Sequence, residues 1–438
     1  MPVRIVRTSL LLVVAALFAL VVVWGQAPKQ NWKDRAEYDL YDQILKATDN
    51  AKKIDLLNTW SQKYPTSDFK MERLQLLLGA YNAAGNVEKV LQTGNEILGV
   101  DPKNLNALYF MTLNTIKITK PTPELLASGE KAANGLVANI DELFAEAKKP
   151  AATSDADWKK VRTDALTLGQ LTQGWVAMQR KQNEAAEKGF TASLQTNPAN
   201  AQVSYWLATV LLAEKNPDKN SAAIFHFVRA AYYSRQGALP EQTRKEVATY
   251  VTKLYTSYHG SADGFDELRK TAEAQAFPPP DLKILSKGEI DLQKEEEFRK
   301  ANPMLALWQS VKGQLTGDNG SSYFDSSVKG ALLPGGAGGV TKFKGKLIAA
   351  KPVKNPKELV IGIVDANVGD ATLVFEEPLV GSAPVGTDLE FEGVPSAFTA
   401  SPFMLTFDVE AANLVGWPAP APPAKKGVGV KKAAPAKK

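Results

Sequence analysis

Apolar residues recur at three- and four-residue intervals from Trp32 to about Phe277, interrupted by short runs holding Gly, Pro or Asn. That period puts them on one face of successive helices, so residues 32–277 are expected to be almost wholly helical. Phe277-Pro278-Pro279-Pro280 ends the pattern, because a proline run cannot continue a helix. A charged helix is expected from Glu289 to about Lys300 and a shorter one from Met304 to Gln314. After seven glycines between Gly317 and Gly339 the period falls to two. Leu347-Ile348, Leu359–Val364, Ala371–Phe375, Leu389–Phe391 and Leu405–Val409 give five strand candidates separated by turn signals. The pattern predicts a mainly α protein with a small C-terminal β-domain.

The helical region repeats itself. One copy holds Leu77, Leu78, Tyr81, Gly85, Val90, Ile97 and Pro102; a second holds Gly174, Ala186, Phe190, Leu194 and Pro198. A third holds Trp206, Leu207, Ala208, Ala223, Phe227 and Ala230, and a weaker one precedes them with Leu40, Tyr41, Ile44, Leu57, Trp60 and Pro65. Small residues allow helix axes to approach closely, and a proline stops the second helix. In small–aromatic–small spacing and terminal proline these copies resemble the tetratricopeptide repeat. Gly94 departs from it where an aromatic is expected, and Asn216-Pro217-Asp218 is an insertion. A stretch near 148–157 reads as an inserted loop, and Thr122 with Pro123 as a helix start. The alternative is a plain irregular helical array. The resemblance implies an α-solenoid of helical hairpins over 32–277, binding a protein partner in its groove.

The remaining domains follow from composition. Residues 281–340 read as a helical connector and glycine-rich linker, and 341–417 as the β-domain. Strand count and spacing there resemble an oligonucleotide/oligosaccharide-binding fold, a five-stranded barrel. Residues 418–438, rich in Pro, Ala and Lys, are expected to be disordered.

At the other end, Arg4 and Arg7 precede the unbroken apolar run Leu10–Trp24. Its fifteen residues make about 22 Å of helix, short of a hydrocarbon core of about 30 Å. Residues 1–27 therefore read as a signal peptide or a membrane anchor. The protein is expected to be exported, either periplasmic or held at the inner membrane facing the periplasm.

Charge changes the picture only once it is located. Of the net +5, six lysines lie in Lys425–Lys438 with no acid among them, leaving 5 − 6 = −1 for the rest. The tail is thus the segment able to reach an anionic surface. Residues 341–410 hold six lysines and ten acids, a net −4, which argues against nucleic acid as the β-domain's ligand.

The sequence offers little chemistry. It has no cysteine and two histidines. Ser67-x-x-Lys70 and Ser326-x-x-Lys329 match a penicillin-recognising tetrad without its companion motifs. The glycines around Gly335–Gly345 lack phosphate-loop spacing. His226 reads as a packing or groove residue, His259 as a helix C-terminal group, and Glu295–Glu297 as a solvated face. No catalytic residue, metal ligand or cofactor is assigned. The leading expectation is a non-catalytic envelope scaffold. The alternative is a ligand-binding module whose β-domain captures a saccharide or peptidoglycan fragment, which would require stacked surface aromatics on that domain. An enzyme built on a carboxylate site is a third.

Overall fold

The computed structural model describes residues 31–418; the 1–27 segment and Lys425–Lys438 lie outside the described residues. The chain divides into two compact units that meet at Lys287–Gly288.

The first unit is a run of helices: α1 (Arg35–Lys46), α2 (Asn50–Lys63), α3 (Lys70–Ala83), α4 (Val87–Val100), α5 (Leu105–Thr115), α6 (Pro123–Ala138) and the short α7 (Ile140–Leu143). It continues with α8 (Asp155–Gln179), α9 (Asn183–Thr196), α10 (Ala201–Ala213), α11 (Asn220–Tyr232), α12 (Glu241–His259) and α13 (Phe265–Ala274). Side chains fix many of the starts. Asp34, Asp49, Asn86, Asn104, Thr122, Ser154 and Asn200 each accept an amide hydrogen from the first turn of the helix they precede. As far as α12 each long helix packs on the next, as in a stack of antiparallel hairpins, and α13 packs on α11. The chain is therefore a helical-repeat, tetratricopeptide-like protein over this unit.

The stack closes where side chains are small. A Cβ on Gly189 would lie 2.5 Å from Gly174 N, so α8 and α9 touch backbone to backbone. Gly94, the departure from the repeat pattern, has a local cause. A Cβ there would meet Met111 of α5 at 2.3 Å, so the thioether occupies the space an aromatic would fill.

Two buried arginines tie helix ends together without any carboxylate. Arg73 on α3 donates to Tyr64 O, the cap of α2, at 2.9 Å and to Trp60 O in its last turn at 3.4 Å. Arg229 on α11 donates to Ala272 O at 3.0 Å and Gln275 O at 2.6 Å, and also to Pro198 O. Its guanidinium carbon sits 4.5 Å from the Tyr233 ring centroid. Carbonyls at a helix C-terminus carry partial negative charge, so each arginine is compensated by dipoles. Burial still pulls both arginine pKa values down.

The second unit holds α14 (Lys287–Ala301), α15 (Pro303–Thr316), α16 (Gly320–Tyr323) and seven strands. They are β1 (Phe343–Lys351), β2 (Glu358–Gly362), β3 (Ala371–Val374), β4 (Asp388–Phe391), β5 (Val394–Ala400), β6 (Phe403–Asp408) and β7 (Leu414–Val415). The five-stranded barrel is corrected here: the strands form one seven-stranded open sheet in the order β5-β6-β3-β2-β1-β4-β7. Its edges are β5 and β7, and all pairs are antiparallel except β3 with β6. Both strands missing from the sequence reading are edges. β5 contains Pro395 and buries little, and β7 is two residues long, so neither shows a clean alternation.

The residues read as a connector join this sheet's core. Trp308, Val311 and Leu315 of α15 pack with Phe343, Phe391 and Phe407. Trp308 Nε1 donates to Asp370 Oδ2 at 3.0 Å, while Asp370 Oδ1 accepts Ile363 N at 2.8 Å. The buried carboxylate thus binds helix and loop backbone at once.

Candidate binding surfaces of the helical array

Within the first unit the leading helices of successive hairpins touch one another: α3 meets α5, α5 meets α8, and α8 meets α10. They form one continuous wall. The predicted repeat positions lie along it and behind it. Leu77 and Leu78 are buried on α3, with Tyr81 half-buried beside them. Gly85 makes the α3–α4 turn at φ 68°. Pro102 follows α4, and Pro198 follows α9. Gly174 meets the Phe190 ring edge, Ala186 is buried on α9, and Ala223, Phe227 and Ala230 are buried on α11. These residues pack within and between the hairpins.

What the wall offers to solvent is of two kinds. At the ends of α3 and α5, Asn114 Nδ2 donates to Asn82 Oδ1 at 2.8 Å and to Phe110 O at 2.8 Å. Lys117 Nζ reaches Asn114 Oδ1 at 3.4 Å, and desolvation draws its pKa below the ordinary lysine value. Asn114 is wholly buried and its amide is spent inside the array, so the half-buried Asn82 and the exposed Lys117 are what this node turns to solvent, and the ammonium is the group able to bond a carboxylate. Farther along, Tyr205 on α10 and Tyr250 on α12 flank Phe227, with ring centroids 5.5 Å and 5.2 Å from it. Tyr250 is 46% exposed. Burial, and then the neighbouring Tyr250, push the Tyr205 hydroxyl pKa up. Tyr232 with Thr249, Thr252, Lys253 and Thr256 lines an open basin of about 500 Å³. A larger basin of about 770 Å³ lies at the hairpin turns, where Lys219 is clamped by Glu187 and Glu214 at 2.5 Å each.

The residues singled out for chemistry are dispersed. Ser67 Oγ accepts Phe69 N at 3.0 Å in a turn, with Lys70 exposed at the start of α3. Ser326 Oγ lies 3.2 Å from Ser327 Oγ. His226 is buried on α11 against the edges of Phe225 and Phe277, and its Nδ1 has no partner. Burial, helped by the charge of Arg229, pushes its pKa down to about 3, so it is a neutral packing residue. His259 Nδ1 contacts Leu285 O at 2.8 Å; Gly260, at φ 89°, supplies the helix cap through its N–H to Thr256 O. Among the described residues no cluster of three or more His, Asp and Glu stands ready for a metal ion.

No family profile matches the chain, and no curated protein sequence does. Among solved structures it is similar to a thermophilic tetratricopeptide-repeat protein of Thermus thermophilus. The overlay spans 50% of this chain and 95% of that one, at 14% identity and a TM-score of 0.26. A score that low supplies no residue correspondences, so the tetratricopeptide-like description stands on the hairpins of this chain.

The Asn82–Asn114 node and the Tyr205–Tyr250 pair went unnoticed in the sequence. Their signal was an amide at the same end of consecutive leading helices, which becomes legible only once the hairpin register is known. Among the described residues no helix is long and apolar enough to cross a membrane.

Proposed function

We propose that this protein is a non-catalytic scaffold that binds an extended segment of a partner protein along the wall of α3, α5, α8 and α10, ending beside Tyr250 of α12. The observation that carries this reading is the wall itself. Asn82 and Lys117 supply polar groups toward one end, and Tyr205 with Tyr250 supplies rings at the far end. Aromatic side chains with a polar tip bring contact area at little entropic cost. The saccharide alternative has less support: the most exposed large apolar side chains on the loops of the sheet unit are Val353, Val380 and Val385, not aromatic rings.

The export pattern of residues 1–27 puts the scaffold at the cell envelope in this reading. Photo-crosslinking in the native cell tests it. A crosslinker at Tyr250 should give a discrete adduct, and one at Lys131, exposed on α6, should not. Equal labelling at both positions, or adducts to cytoplasmic proteins alone, would refute the reading.

A further inference from the structure

We infer that the end of the sheet carrying the β1–β2 and β3–β4 loops is a docking face for an anionic lipid surface. Val353, in the first loop, is 74% exposed; Val380 and Val385, in the second, are 60% and 75% exposed. Three such side chains on loop tips present apolar area with no partner among the described residues. The loops are held as one platform. Asn355 N donates to Gly381 O at 2.7 Å, and Gly381 N donates back to Asn355 Oδ1 at 2.8 Å.

Charge favours lipid over a neutral apolar partner. The first loop reads Lys351-Pro-Val-Lys354-Asn-Pro-Lys357, three lysines and no acid around Val353. Lys351 pairs with Glu358 at 2.8 Å and Lys357 donates to Glu376 O at 2.8 Å, whereas Lys354 is exposed beside the valine. In the second loop the acids Glu376 and Glu377 sit next to β3, and 378–387 is uncharged. The opposite end is a built-in contrast. Val364 and Val368 are exposed there too, but their loop carries Asp365 and no lysine.

The course of the chain adds a second argument. Trp417 Nε1 donates to Val380 O at 3.0 Å, so the described chain ends on this same platform. Seven residues beyond Pro418 the sequence reaches Lys425, the first of six lysines. Whatever its conformation, seven residues span at most about 25 Å. The basic tail therefore starts within reach of any surface the valines touch, and both would be drawn to acidic head groups.

The chain lacks cysteine, so single cysteines give unique labels. In the full chain, Ser382→Cys between Val380 and Val385, and Ser401→Cys at the other end, each carry an environment-sensitive dye. Vesicles are phosphatidylcholine with or without phosphatidylglycerol, doped with a lipid-borne quencher. The expected result is blue-shifted, quenched emission at Ser382 only, on phosphatidylglycerol vesicles, lost with Val380→Ser plus Val385→Ser at an unchanged melting temperature. Equal responses of the two dyes, or a Ser382 response that survives the double substitution, overturn the inference. A shift without lipid quenching, as from a docked protein, also overturns it.

Discussion

The two units solve the same burial problem with ties of different kinds. In the helical array the ties join long helices one or two places apart in the stack: Trp60 Nε1 bonds Glu37 Oε1 across 23 residues, Arg229 bonds Ala272 O across 43 and Thr172 Oγ1 bonds Thr112 O across 60. In the sheet unit Trp308 reaches Asp370 across 62 residues and Lys342 reaches Asn413 O across 71. Among the described strands the one parallel pair, β3 with β6, requires a crossover between them. A stack of hairpins is stabilised neighbour by neighbour, whereas the sheet needs its distant parts together before any of them is held. Damage should therefore stay local in the array and spread through the whole sheet unit.

The largest expected effect tests the sheet. Trp308→Ala should cost about 3–5 kcal/mol, since it empties a fully buried ring site and leaves Asp370 short of a donor. A fragment of residues 341–417 should for the same reason fail to unfold cooperatively, while 288–418 should do so. Two equally cooperative melts would show that α15 is dispensable.

In the array, Gly189→Val should force α8 from α9 and cost about 1–3 kcal/mol. Hydrogen exchange should quicken in those two helices while α1 and α2 keep their protection. A global change would mean that the array unfolds as one body. Arg229→Met removes three backbone bonds and should cost about 1–3 kcal/mol, read as faster exchange in α13. Unchanged protection of α13 would show that its end is held by packing alone.

The last effect is electrostatic and appears only in acid. His226 is neutral in the fold because its pKa is pushed from 6.5 to about 3, whereas the unfolded chain protonates near 6.5. Its contribution is therefore complete above that value and is lost as pH falls toward 3, at up to about 1.4 kcal/mol per pH unit. His226→Phe should flatten that part of the stability–pH curve. An unaltered slope would assign the acid sensitivity to other groups.

Much of the array was legible in the sequence, because its signals are local. The Thr122–Pro123 start, the Gly85 turn and the proline stops each act within one turn of backbone. The binding surface was less legible. Asn82 and Asn114 lie 32 residues apart, and nothing in either neighbourhood states that their amides meet.

By itself the sequence determined where the period is helical and where it is alternating, and where the charge lies. These are properties of residues close in the chain. Tertiary structure decided which strands pair, that the sheet stays open, and that α15 belongs to it. A period of two marks the buried face of a strand and says nothing about its neighbour, and an edge strand such as β5 buries too little to announce itself. The place of Trp308 depended on a carboxylate 62 residues away, and only the folded chain brings the two together.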